Sequence, residues 1–141
     1  MSDRAFLDTN IVVYLFDDDS PDRQARAAEI LRADGATMEL VLSTQVLQEF
    51  YVAVTRKLER PLAKEDALSA VQSLIELTVT QLDPDMIVSA IESSQAHAVS
   101  FWDALIVQAA LSSGCQRLLT EDMQDGRRFG DLLVENPFHS A

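Results

Sequence analysis

Four carboxylates occupy positions at which an α/β fold would bring them together. Asp8 ends a short apolar run, Glu49 lies in an amphipathic segment after a second run, and Asp122 follows a later one. Asp103 opens the most apolar segment of the chain. In open α/β sheets, ligands bind outside the carboxyl ends of the strands, where the following helices begin. We therefore expect these four acids to converge, although they are far apart in the sequence.

Carboxylates that converge repel one another and raise each other's pKa values unless a cation lies between them. Their hard oxygen atoms suit Mg²⁺ or Mn²⁺. Two such ions, about 3.5–4 Å apart, can clamp a phosphodiester and activate a water for in-line attack. That chemistry needs no nucleophilic side chain. The sequence shows no conspicuous Ser–His or Cys–His pair and no glycine-rich phosphate loop.

Each acid also has a simpler structural interpretation. Asp8 could cap the next helix, as aspartate often does. Ser100 and Asp103 match a helix-capping pattern. Glu49 could be a solvated flank residue, and Asp122 could belong to a turn. The conjunction of all four at one sheet edge favours the metal site.

Strands alternate with helices along the chain. We predict strands near residues 4–8, 38–42, 78–82, 117–120 and 131–135. We predict helices directly after the first strand and near residues 21–33, 45–58, 64–77, 84–97 and 100–113. Residues 123–130 read as a polar loop. This alternation predicts a mostly parallel central sheet of four to five strands, with helices on both faces.

Length and composition indicate a single globular domain spanning residues 1–141, of which 48% are hydrophobic. The only cysteine, Cys115, excludes an internal disulfide, and its apolar context predicts a buried, inert thiol. No secretory signal precedes the first strand, and the apolar run at residues 104–111 is too short to cross a bilayer. We expect a soluble, cytoplasmic protein without membrane contact.

The net charge is −12, from 11 basic and 23 acidic residues. Phosphate neutralisation by Lys and Arg usually dominates nucleic-acid affinity, so this charge is unfavourable for a nucleic-acid ligand bound directly. It suits a basic protein partner, or carboxylates collected to hold cations. A nucleic-acid substrate is compatible with the charge if metal ions mediate the contact.

Four motifs carry a resemblance to a known family. They are Phe6-Leu7-Asp8-Thr9-Asn10, Gln48-Glu49-Phe50, Ser100-Phe101-Trp102-Asp103-Ala104-Leu105-Ile106 and Leu119-Thr120-Glu121-Asp122. With these motifs, in this order and spacing, the sequence resembles the PIN-domain family. It is similar in particular to the VapC-type ribonuclease toxins of bacterial type II toxin–antitoxin modules. The resemblance extends over most of the chain and implies a three-layer α/β/α PIN-like fold.

The resemblance implies an endoribonuclease that depends on Mg²⁺ or Mn²⁺, with Asp8, Glu49, Asp103 and Asp122 as its catalytic, metal-binding acids. Asp8 and Asp103 are the surest of these metal ligands. It also implies three partners. They are a structured RNA substrate such as tRNA or rRNA, a VapB-type antitoxin whose C-terminal segment enters the active-site groove, and a second copy of the chain in a homodimer.

The resemblance also implies supporting roles for residues around the acids. Thr9 and Thr120 would be supporting hydroxyls, and Asn10 would brace the turn after the first strand. The loop after the last acid adds two open points. Asp125 could assist or replace Asp122, and Arg127 with Arg128 could contact phosphate or simply be solvated.

Three further groups of residues receive a structural role or have two roles left open. Arg56, Lys57 and Arg60 suit the negative end of a helix dipole, which is the role we assign them. The apolar residues Tyr14, Leu15 and Phe16 could serve an interface or the core. His97 is expected near a helix end at the surface.

Two other function classes remain. A non-catalytic PIN-like module that binds protein or RNA has no need to hold four repelling acids together. A phosphoryl-transfer signalling domain with Asp8 as acceptor would need a lysine after a late strand, where this chain has Glu121 and Asp122. We therefore favour the metal-dependent ribonuclease.

Overall fold

A six-stranded sheet forms the centre of the computed structural model, which describes residues 3–138. Its strands are β1 (Arg4–Leu7), β2 (Glu39–Ser43), β3 (Thr78–Thr80), β4 (Arg117–Leu119), β5 (Arg128–Phe129) and β6 (Leu132–Glu135). Their order across the sheet is β3-β2-β1-β4-β6-β5. All neighbouring pairs are parallel except β5 and β6, which are antiparallel. The predicted mostly parallel sheet is confirmed.

The sixth strand corrects the predicted count of four to five. β5 contains only two residues and lies in the stretch that we read as a polar loop. Gly126 and Gly130 flank it with positive φ angles of 86° and 61°, which glycine adopts without a steric penalty. These turns let the chain double back onto β6. Phe129 is buried there, but a two-residue strand is too short to show a hydrophobic period.

Six α-helices connect the strands. They are α1 (Thr9–Tyr14), α2 (Pro21–Arg32), α3 (Thr44–Val52), α4 (Lys64–Leu74), α5 (Pro84–His97) and α6 (Phe101–Ser112). Side-chain caps begin several of them: Ser43 accepts from Val46 N, Asp83 from Met86 N and Ser100 from Asp103 N. The predicted helix at 45–58 is only partly α-helical, because α3 continues through a π-helical turn, Ala53–Lys57.

The direction of the chain across the sheet reverses between β1 and β4. From β1 the chain moves to β2 and β3 through α1–α4, and it returns through α5 and α6 to β4 on the other side of β1. Right-handed crossovers in opposite directions place these two groups of helices on opposite faces. The three-layer α/β/α arrangement is therefore present, with its topological switch point between β1 and β4.

The central strands are buried on both faces, as parallel strands under two helical layers must be. Phe6, Val41 and Leu118 are fully buried. Cys115 is buried, as predicted, and burial raises the pKa of its thiol to about 12, which disfavours the reactive thiolate. α6 is buried along most of its length, but its first turn exposes Trp102. No helix among the described residues has the length and apolar character that crossing a bilayer requires.

Candidate functional site

Asp8 lies at the switch point and is held from both sides. It follows β1 directly, and its backbone N–H donates to the Leu119 carbonyl of β4 at 3.1 Å. Its Oδ1 accepts from Thr9 N at 2.7 Å, so it does cap α1. Its Oδ2 accepts from the Thr120 hydroxyl at 2.8 Å. The carboxylate is only 5% exposed and is fixed across the crevice between the two central strands.

Thr120 connects Asp8 to the loop after β4 through hydrogen bonds of its side chain. It is fully buried, and its hydroxyl accepts from Asn10 Nδ2 and from Asp122 N, both at 3.1 Å. Asn10 Nδ2 also donates to Asp122 Oδ2 at 3.0 Å, and Asn10 Oδ1 accepts from Glu121 N at 3.3 Å. One side chain of α1 thus positions Asp122, and these hydrogen bonds of Asn10 hold the loop after β4 rather than the turn after β1.

Glu49 is oriented by hydrogen bonds from two helices. The Thr9 hydroxyl of α1 donates to Glu49 Oε1 at 2.7 Å. Gln45 lies one turn before Glu49 on α3, and its Nε2 donates to Glu49 Oε2 at 3.2 Å. The same amide donates to the Trp102 carbonyl of α6 at 3.3 Å. Thr9 therefore hydrogen-bonds to both Asp8 and Glu49 and connects the two acids. The Gln45 side chain connects α3 to α6.

Asp103 lies in the first turn of α6, with its backbone N–H donating to Ser100 Oγ at 3.0 Å. Burial raises the pKa of Asp103, the Ser100 hydroxyl lowers it, and the charges of Asp122 and Glu49 raise it again. Asp103 therefore shares an electrostatic environment with two of the other three acids. The capping interpretation of this segment is also correct, because Ser100 is the cap.

Burial has its largest effect on the pKa of an acid at Asp8. Burial raises the pKa of Asp8 from its ordinary 3.8 to about 6. Hydrogen bonds from Thr120 and Thr9 oppose the rise, and the charges of Asp122 and Glu49 add to it. A buried carboxylate with acidic neighbours and no cationic partner is costly to keep ionised, so the fold maintains a site that favours added positive charge.

We expect the metal-free protein to become more stable when the pH is lowered from 7.5 to 5. Between pH 3.8 and about 6 the folded chain binds more protons than the unfolded chain at Asp8, so stability falls as the pH rises through that range. The expected gain at pH 5 is about 1 kcal/mol. Denaturant unfolding in EDTA measures it, and Asp8→Asn should remove most of it. A wild-type protein that loses stability between pH 7.5 and 5 would contradict the raised pKa.

A cavity of about 670 Å³ opens beside the acids. Glu49 and Asp122 line it, together with Tyr14, Lys57 and Trp102. Asp8 and Asp103 are not among its lining residues, and Asp8 is buried. The volume is within the usual range of small-molecule and nucleotide sites, which is about 300–1,000 Å³.

The donor set fits a hard divalent cation. Every candidate ligand is a carboxylate oxygen, which Mg²⁺ and Mn²⁺ prefer. Within residues 3–138, no group of three or more His, Cys, Asp or Glu side chains is arranged so that it could hold a metal ion. Mg²⁺ usually keeps several waters and is commonly held by one or two carboxylates. The chemistry of these carboxylates therefore suits such an ion, with one or two of them as ligands and water completing the coordination.

The family is decided by a match over most of the chain. The family model of the PIN domain matches residues 5–128. The chain belongs to the PIN-domain family. A search of curated protein sequences found no match.

Solved structures share the fold of this PIN domain at low sequence identity. A toxin–antitoxin complex from Klebsiella pneumoniae has a TM-score of 0.69 at 17% identity, covering 96% of this chain and 99% of that one. DNA-bound VapBC from Salmonella typhimurium has 0.67 at 20% identity, covering 97% and 99%. VapC20 of Mycobacterium tuberculosis, described as a toxin that cleaves the sarcin–ricin loop, has 0.63 at 19%, covering 81% and 86%. These neighbours are thus a VapC toxin, a VapBC complex and a further toxin–antitoxin complex.

Lys57 lines the cavity of this PIN domain, although sequence reasoning assigned it only to the helix dipole. One face of α3 and its continuation borders the cavity at helical spacing through Gln45, Gln48, Glu49, Val52 and Ala53. Lys57 continues the i, i+4 row of Gln45, Glu49 and Ala53 along this face. It is the last residue of the π-helical turn that continues α3. Propensity and periodicity do not signal such a turn.

Asp125 and Arg127, which were also candidates for the site, form hydrogen bonds outside it. Asp125 Oδ1 accepts from the Asn136 backbone N–H at 2.8 Å, at the end of β6. Arg127 Nη2 donates to the His97 carbonyl at 2.7 Å, beside the end of α5. Neither Arg127 nor Arg128 lines the cavity. Asp122, rather than Asp125, is the acid of this loop that faces the cavity.

Tyr14, Leu15 and Phe16, which could serve an interface or the core, lie at the cavity wall and against the core. Leu15 and Phe16 pack against the core, with the Phe16 ring 5.5 Å from that of Phe50. Tyr14 lines the cavity, and its hydroxyl donates to Glu121. Burial and that carboxylate raise the pKa of Tyr14 to about 12, so it stays a neutral donor.

Proposed function

We propose that this PIN domain is the toxin of a type II toxin–antitoxin module. It is an endoribonuclease that hydrolyses phosphodiester bonds in RNA with Mg²⁺ or Mn²⁺ held by Asp8, Glu49, Asp103 and Asp122. The observation that carries the proposal is the buried Asp8 at the switch point, which shares hydrogen-bonded partners with Asp122 and Glu49. The fold shared with toxins of VapBC systems supports the same assignment.

The cost of the site argues for a catalytic role. A buried carboxylate with a pKa raised by burial and by neighbouring acids destabilises the folded state at neutral pH. A module that only binds a partner has no need to keep Asp8 and Asp103 close enough to Asp122 and Glu49 to be repelled by their charges. A site that binds a divalent cation needs them, and the cation removes the repulsion.

Each residue of the site has a definite task in the proposed reaction. Thr9 N and Thr120 Oγ1 fix both oxygens of Asp8, so its carboxylate cannot rotate when substrate enters. Thr9 and Gln45 aim Glu49, and the cavity beside Glu49 and the nearby acids receives the phosphodiester. A bound divalent cation would supply charge stabilisation at the phosphoryl oxygens and an activated water.

We propose the partners on the same basis. The substrate is a structured RNA such as tRNA or rRNA in the cytoplasm, and a VapB-type antitoxin restrains the toxin. Residues 1–141 form a single PIN domain that assembles as a homodimer. Exposed apolar side chains at one face of α5, Ile87, Val88 and Ile91, offer an apolar surface for assembly.

The test is cleavage of total cellular RNA by the purified protein in Mg²⁺, in Mn²⁺ and in EDTA. We expect discrete fragments that require a divalent cation, and sequencing of their ends identifies the target. A protein that binds neither cation and leaves all RNA intact would overturn the proposal. That outcome would favour the alternative, a non-catalytic PIN-like module that binds protein or RNA.

A further inference from the structure

Trp102 is an unusually exposed aromatic residue beside the carboxylates. It lies in the first turn of α6, one residue before Asp103, and is 61% exposed although it lines the cavity. Large aromatic side chains bury their rings where the fold allows it. Burial along the rest of α6 shows that the helix is otherwise part of the core. The cavity is therefore bordered by an indole that the fold leaves mostly exposed.

Lys57 borders the same cavity and provides its positive charge. It is exposed and makes no ion pair among residues 3–138, unlike Arg23 and Arg60, which pair with Glu121 and Asp19. Lys57 is the last residue of the π-helical turn that continues α3. π-Helical turns are rare and are found frequently at functional sites.

The overall charge of the chain decides what kind of contact can hold RNA here. With a net charge of −12 and one lysine lining the cavity, phosphate neutralisation supplies little affinity. Stacking of a base on an aromatic ring does not depend on charge, and any base has a face to offer. Only an unpaired nucleotide can present that face, because bases inside an RNA helix are already stacked.

We propose that Trp102 and Lys57 form a nucleotide subsite beside the carboxylates, in which the indole stacks on an unpaired base of the RNA and the ammonium group contacts an adjacent phosphate. This inference rests on the proposed ribonuclease function and names the form of RNA that the cavity takes. The substrate presents a single-stranded or flipped-out base next to the bond that is cleaved. Affinity then depends weakly on salt, because a single lysine contributes to the phosphate contact.

The experiment measures RNA binding by the fluorescence of Trp102, since this is the only tryptophan in the chain. A short single-stranded oligoribonucleotide is titrated into the wild-type protein with EDTA present, so that no turnover occurs. We expect saturable quenching of the tryptophan fluorescence. A fully paired RNA hairpin without a loop of free bases should quench it much less.

Variants separate stacking from charge. Anisotropy of a labelled oligoribonucleotide should show about 10-fold weaker binding for Trp102→Ala and nearly wild-type binding for Trp102→Phe. Lys57→Gln should weaken binding modestly and lower the slope of log affinity against log salt by about one. Leu111→Ala, an exposed apolar change at the other end of α6, serves as the matched control and should have no effect.

Two results would overturn the subsite while leaving the ribonuclease function intact. One is wild-type cleavage and oligonucleotide binding with no change in Trp102 fluorescence. The other is unchanged RNA affinity in Trp102→Ala together with an altered elution volume, which would assign Trp102 to contact with a second copy. A wild-type protein that neither binds the oligonucleotide nor cleaves total RNA would instead fail the proposed function itself.

Discussion

Asp8→Asn is expected to slow RNA cleavage more than about 100-fold at saturating Mg²⁺, because loss of even an outer-shell partner of a metal ligand typically costs about 10–100-fold. The amide has nearly the size of the carboxylate but no negative charge, so it is a poor ligand for a hard divalent cation. Single-turnover cleavage of an oligoribonucleotide, with the cation varied, measures the loss. A higher cation concentration should restore little of it.

The variant also separates chemistry from folding. Removing a charge whose burial raises its pKa relieves a cost to the folded state, so the thermal unfolding midpoint in EDTA at pH 7.5 should be no lower than that of the wild type. Asp66→Asn, the same change at an exposed position of α4, is the matched control. Cleavage by Asp8→Asn within a few-fold of the Asp66→Asn rate would contradict the role of Asp8.

Thr120→Val is expected to have the second largest effect. Its hydroxyl donates to Asp8 and accepts from Asn10 and from the Asp122 backbone, all in a buried position. Valine fills the same volume but leaves those groups without their partner, at a cost of about 1–3 kcal/mol in stability. Loss of the fixed geometry should also slow cleavage about 100-fold, since small misplacements of catalytic groups have effects of that order.

Thr120→Ser is the matched control, because it keeps the hydroxyl and removes only a methyl group. It should retain most of the cleavage activity and of the hydrogen-bond network. Urea unfolding and cleavage rates of the two variants, measured side by side, give the comparison. Equal cleavage rates for Thr120→Val and Thr120→Ser would show that the hydroxyl does not position Asp8 and Asp122.

The sequence was sufficient to place a candidate site residue when that residue directly follows a strand. Asp8 and Asp122 could be placed at one sheet edge because parallel strands deliver their carboxyl ends to the same side. The structure links these two residues through Thr120, as that logic expects. Their assignment as metal ligands, with Glu49 and Asp103, stays a prediction.

Other features depend on tertiary geometry that has no local signature. Lys57 lies in a π-helical turn, and nothing in its neighbours distinguishes that turn from a regular helix. The contact of Tyr14 with Glu121 joins residues far apart in the sequence, so no spacing could reveal it. The apolar pattern of α6 predicts burial all round, whereas its first turn lies at the cavity and leaves Trp102 exposed.

The measurement that tests the central claim most directly is an anomalous difference map of crystals soaked in Mn²⁺ at a concentration that supports RNA cleavage. Our account predicts a peak about 2.2 Å from carboxylate oxygens of Asp8 and at least one of Glu49, Asp103 and Asp122, with waters completing the shell. Asp8→Asn crystals soaked in the same way should lose it. A wild-type crystal without a peak among these four acids, or with its Mn²⁺ elsewhere, would contradict the account.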